Sequence, residues 1–89
     1  MQKTYLEVTF SHGRPVAAYL YLPRDVSQKS VRTVELAAGI LVDYGSGGEP
    51  IGLELTSPQR VTLDALNSVL GEIGCPALTS EDLAPLERA

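Results

Sequence analysis

Tryptophan is absent from this 89-residue chain, and cysteine, histidine and phenylalanine occur once each. With Cys75 alone, no internal disulfide can form, and a zinc cluster cannot be built from this chain by itself. Long apolar runs are also missing: none reaches membrane-spanning length, and Met1 to Val8 lacks the extended apolar core of a secretory signal. These absences lead us to expect a soluble, cytoplasmic protein with no membrane partner. Cations are outnumbered, seven Lys and Arg against eleven Asp and Glu, for a net charge of −4. Non-specific binding to nucleic acid needs a surplus of positive charge on one face, so no nucleic-acid partner is expected.

The charge is unevenly spread. Up to Val34, the residues Lys3, Arg14, Arg24, Lys29 and Arg32 against Glu7 and Asp25 leave +3, whereas from Glu35 onward nine acids face only Arg60 and Arg88. Such an asymmetry is either a mixed solvated surface or a source of attraction between copies. What the chain does have is apolar content, 44% hydrophobic with 20% charged residues, which marks a folded domain rather than a disordered tail. The length allows one domain and one small core, residues 1–58 being strand-rich and 59–89 helical. Small cores are marginal alone, so a homo-oligomer, most simply a dimer, is a natural way to bury more apolar area.

The organising stretch runs from Gly39 to Thr56. Ile40, Val42 and Tyr44 alternate on one arm, Ile51, Leu53 and Leu55 on the other, with a Gly/Ser-rich turn between them, the pattern of a β-hairpin. If Tyr44 pairs with Ile51, Val42 lies opposite Leu53, and Asp43 and Glu54 become diagonal neighbours on the reverse face. Upstream, Thr4 to Phe10 alternates as a strand with one buried face, and Ser11 to Pro15 supplies a tight turn. Val16 to Leu22 places Ala18, Leu20 and Leu22 on one side and Ala17, Tyr19 and Tyr21 on the other, so both sides look covered. Pro23 to Ser30 reads as a loop, and Val31 to Leu36 as a third strand suited to an edge.

Five strands with short connections predict an antiparallel meander. Thr62 caps the one convincing helix, Asp64 suits its positive end, and Leu63, Leu66, Val69, Leu70 and Ile73 recur at helical spacing until Gly71 and Gly74 end it. That stripe is expected to cover the sheet face bearing Leu53 and Leu55. Thr79 to Asp82 signals a short terminal helical turn before Leu83, limited by Pro85. The fold class is thus α+β: a small antiparallel sheet packed on one face by a C-terminal helix.

No residue is assigned a catalytic role, and no metal site or cofactor is expected. Asp43 and Glu54 form the one carboxylate pair with a structural basis, yet acid/base work or cation binding needs further ligands or a pocket that a flat sheet face does not offer. Gly45 to Gly48 lacks the Lys-Ser/Thr step into a helix that a phosphate loop requires. His12 lies in a turn with no nucleophile placed by spacing, and Cys75 follows a helix C-terminus, whose negative dipole end opposes thiolate formation. Tyr19 and Tyr21 point the same way from an inner strand. They suit an interaction surface, or fill the chain's own core, or lie under its tail.

Ala17-Ala18-Tyr19-Leu20-Tyr21-Leu22, Thr33, Gly39-Ile40-Leu41-Val42-Asp43-Tyr44 and Pro50-Ile51-Gly52-Leu53-Glu54-Leu55 resemble the domain-of-unknown-function family 2283 (DUF2283) over about Tyr5 to Ser57. The resemblance implies a small bacterial or archaeal protein without established activity and, because some members are encoded beside small toxin-like proteins, an antitoxin-like or accessory role. Val16 and Gly45 stand where that family commonly carries acids, so no metal or acid/base site is implied. Two functions are therefore expected to compete. One is a non-enzymatic interaction or homo-oligomerising module using Tyr19 and Tyr21 or a strand edge. The alternative is a small-molecule-binding protein or hydrolase with a site between protomers, using Asp43, Glu54 and His12.

Overall fold

The computed structural model describes residues 4–23 and 29–84. Five strands, β1 (Tyr5–Ser11), β2 (Arg14–Tyr21), β3 (Arg32–Ala37), β4 (Ile40–Tyr44) and β5 (Pro50–Leu55), form one antiparallel sheet. A 3-10 turn (Pro58–Arg60) and the helix α1 (Leu63–Glu72) follow, which makes this the α+β fold that the patterning predicts. Among the described residues no helix is long and apolar enough to cross a membrane.

The strand order is β1-β2-β5-β4-β3, which corrects the expected meander. Hairpins join β1 to β2, β3 to β4 and β4 to β5, but β2 lies beside β5, and the connection from β2 to β3 crosses to the far edge. The last four strands are therefore a Greek key rather than a meander. Apolar character explains the order. Strands β2, β5 and β4 supply Ala18, Leu20, Ile40, Val42, Leu53 and Leu55, all buried, and take the centre. Strand β3 carries Arg32 and Glu35 and goes to an edge, where charged side chains reach water and discourage further pairing. The loop expected at Pro23 to Ser30 falls largely outside the described residues.

The helix covers the expected face. Leu66, Val69 and Leu70 are buried in one cluster with Leu20, Val42, Leu53 and Leu55, while Leu63 and Ile73 pack at its margin. The Thr62 hydroxyl accepts from the Ala65 N–H at 3.1 Å, the cap that the sequence promised. At the other end Gly74 takes φ +77°, its N–H donates to the Gly71 carbonyl, and the Cys75 N–H donates back to Leu70 at 2.8 Å. That pair of bonds is a Schellman motif, and it ends the helix where the glycines predict. The tail is tied down twice. Asn67 receives the Leu78 N–H at 2.7 Å and donates its amide to the Leu78 carbonyl at 3.1 Å. Thr79 and Asp82 then exchange the reciprocal bonds of a capping box, which starts the expected terminal turn and brings Leu83 into the core.

Candidate functional site

The reverse face of the sheet, away from α1, is where chemistry-bearing side chains gather. Register places Tyr5 opposite Tyr21, Glu7 opposite Tyr19, Tyr19 opposite Glu54, Asp43 opposite Gly52 and Thr33 opposite Asp43. Asp43 and Glu54 are diagonal neighbours as expected, since Val42 pairs with Leu53. One detail of that hairpin differs. A bulge after Asp43 leaves Ile51 unpaired and sets Tyr44 against Pro50 instead of Ile51.

Three tyrosines and Asp43 interlock here. The Tyr19 hydroxyl donates to Asp43 Oδ2 at 2.7 Å, and the Thr33 hydroxyl donates to Asp43 Oδ1, so each carboxylate oxygen receives a hydroxyl. The Tyr21 hydroxyl donates to Glu7 Oε1 at 3.0 Å. Tyr21 also stacks on Tyr5 with ring centroids 4.5 Å apart and meets Tyr19 edge-on at 4.7 Å, geometries in which aromatic pairs attract beyond simple burial. These contacts contribute to the half-burial of Tyr19 and Tyr21. Among the described residues no element lies over this face, and the tyrosines shield one another.

Gly52 makes the arrangement possible. The Tyr19 ring lies directly over it, so close that any Cβ at position 52 would collide with the ring and its hydroxyl. An inner strand normally disfavours glycine, and here its bareness lets one side chain bridge from β2 to β4 across β5. The sequence offered a signal in the lone glycine within Ile51-Gly52-Leu53, at a position that no turn requires.

The face is acidic. Glu7, Glu35, Asp43 and Glu54 share it, whereas Arg14 stands at the far turn end of β2 and Arg32 lies over the Tyr44 ring at 4.8 Å on the helix side. His12 does not join this group within one chain. It occupies the β1–β2 turn with φ 53°, followed by Gly13 at φ 78°, and at 3.4 Å per residue lies about 17 Å along the sheet from the level of Glu54. Among the described residues no group of three or more His, Cys, Asp or Glu is placed to hold a metal ion.

The helix side offers a cleft of about 350 Å³ near the helix start, lined among the described residues by apolar Pro58, Val61, Leu63 and Leu83 and by the uncharged polar Gln59, Thr62 and Ser80. Cys75 is half-buried and unbonded to other cysteine, and burial pushes its thiol pKa up, away from thiolate chemistry. No family model, curated protein or solved structure matches this chain.

Proposed function

We propose that this chain is a small non-enzymatic interaction module whose tyrosine-bearing sheet face receives a basic segment of a protein partner. The observation that carries this reading is the tyrosine platform itself: Tyr5, Tyr19 and Tyr21 are locked by mutual stacking and by hydroxyl bonds to Glu7 and Asp43, on a face that no described element covers. Preorganised aromatic surface costs little entropy when a partner docks. Charge chooses the partner. Four carboxylates on one face attract guanidinium and ammonium groups and repel a second copy's identical face. Arginine fits better than lysine because its plane stacks on tyrosine while its fork reaches a carboxylate. The reading includes membership of DUF2283, a cytoplasmic location and an antitoxin-like or accessory role beside that partner.

The test uses two peptides of equal charge, one bearing arginines and one lysines, titrated by fluorescence anisotropy. We expect the arginine peptide to bind more tightly, and Tyr19→Asp with Tyr21→Asp to abolish the difference in a folded protein. Equal affinity for both peptides, or binding untouched by the double substitution, rules the reading out.

A further inference from the structure

The two edges of the sheet are built differently. On β3, Arg32 and Glu35 are exposed, and the register breaks between Glu35 and Ala37, both of which discourage another strand from pairing there. Strand β1 is less defended. Its seven residues, Tyr-Leu-Glu-Val-Thr-Phe-Ser, include no proline and a single charge, Glu7, and the only break in its pairing with β2 leaves the extra residue, Val16, on β2.

The apolar layer is also unfinished at this edge. Leu6 and Val8 pack on the core but remain half-buried, and Phe10 is 49% exposed at the margin, while α1 leans toward β3 on the opposite side. A long, regular, apolar edge strand is a template for pairing with another chain.

We infer that two copies of this protein join by antiparallel pairing of β1 with β1 of a second copy, with the two-fold axis at Val8. Faces match only when residues of the same parity oppose each other, which restricts the axis to a residue rather than a gap between residues. An axis at Glu7 sets that carboxylate against its own copy. An axis at Val8 uses the whole strand: Leu6 meets Phe10, Glu7 meets Thr9, Tyr5 meets Ser11, and Val8 meets Val8, so each apolar residue of the helix side meets an apolar residue. Phe10 then packs against Leu6 of the other copy, and the core layer continues from one copy into the next.

This pairing does not rest on the basic-partner reading: its grounds are the unpaired backbone of β1 and the apolar residues of the helix side, although Tyr5 and Glu7 of the tyrosine face border the seam. It does extend that reading. A two-fold axis normal to the sheet leaves both tyrosine platforms facing the same way, giving one wide acidic surface with two sites.

Light scattering on the full chain should give twice the mass of one copy. Thr9→Glu sets a new carboxylate against Glu7 of the other copy, twice in the dimer, and should return the mass to that of one copy; adding Glu7→Lys to it should restore the doubled mass. In a Cys75→Ser background, Val8→Cys should form an intermolecular disulfide on mild oxidation, since facing residues of antiparallel strands lie within disulfide reach. A wild-type chain that stays monomeric at about 1 mM overturns the inference, since association that weak is unspecific. So does a Thr9→Glu protein that keeps the doubled mass, or a dimeric Val8→Cys protein that does not cross-link. The Tyr19→Asp, Tyr21→Asp variant should keep the doubled mass while losing its preference for the arginine peptide, which separates failure of one idea from failure of the other.

Discussion

The Tyr19 hydroxyl reaches Asp43 Oδ2 at 2.7 Å across an entire intervening strand, with Gly52 beneath the ring. Strands β2 and β4 are therefore tied by a side chain as well as by their shared neighbour β5. Gly52→Ala puts a methyl into the space the ring occupies. Overpacking of this kind costs about 1–3 kcal/mol, and the denaturant midpoint should fall accordingly with an unchanged slope. The expected near-ultraviolet signature is a changed tyrosine signal, because the ring must leave Asp43.

Tyr19→Phe keeps the ring and removes the hydroxyl. The loss should be about 0.5–1.5 kcal/mol, the ordinary net value of a hydrogen bond. Thr33→Val removes the second donor to Asp43. Because both donors serve one carboxylate, a double-mutant cycle of Tyr19→Phe and Thr33→Val should show a coupling of about 0.5 kcal/mol or more, whereas independent surface contacts would add.

His12 is expected to be a turn residue. With φ positive at His12 and Gly13, the β1–β2 hairpin has the backbone of a two-residue turn that suits Asn-Gly. His12→Asn should leave the melting temperature within error or raise it. His12→Val forces a β-branched residue into a left-handed conformation and should cost about 1–2 kcal/mol.

Burial raises the Cys75 pKa, because a thiolate is less well solvated there than in the unfolded chain. The sign follows from which state ionises first. As pH rises through the ordinary thiol range, the unfolded chain loses its proton before the folded one, so folded stability declines over that interval. Alkylation by iodoacetamide should be slower in the folded protein than in urea at the same pH. Equal rates would mean that the thiol is open to solvent.

Much of the fold was legible in the sequence because its signals are local. Thr62 as a cap, Gly74 as a stop, the alternation through β1, β2, β4 and β5, and the helix stripe of Leu66, Val69 and Leu70 all depend on neighbours a few residues away. Strand order was not legible, because nothing near β2 or β5 names the other as its partner. The pairing of Tyr19 with Glu54 is set by competition among all strands for central places. The reverse face was half legible. Alternation put Tyr19 with Tyr21 and Asp43 with Glu54, but the bond from Tyr19 to Asp43 needed β2 beside β5. Asn67 was missed for a simpler reason: a polar residue within a helix gives no sign of which distant backbone it will hold.

The Greek-key order has a consequence for how the chain folds. Strands β1 and β2 zip as one hairpin and β3, β4 and β5 as another unit, each across short turns, but joining them requires Tyr21 to find Gly52. Closing the connection between Tyr21 and Arg32 costs chain entropy before any core contact offsets it, and non-local pairing of this kind slows folding. We predict that the line between β2 and β5 is the last to form and that the native sheet parts there first. Backbone amides along it should report that opening by hydrogen exchange, and the Tyr19 bridge over Gly52 is the latch that holds it shut.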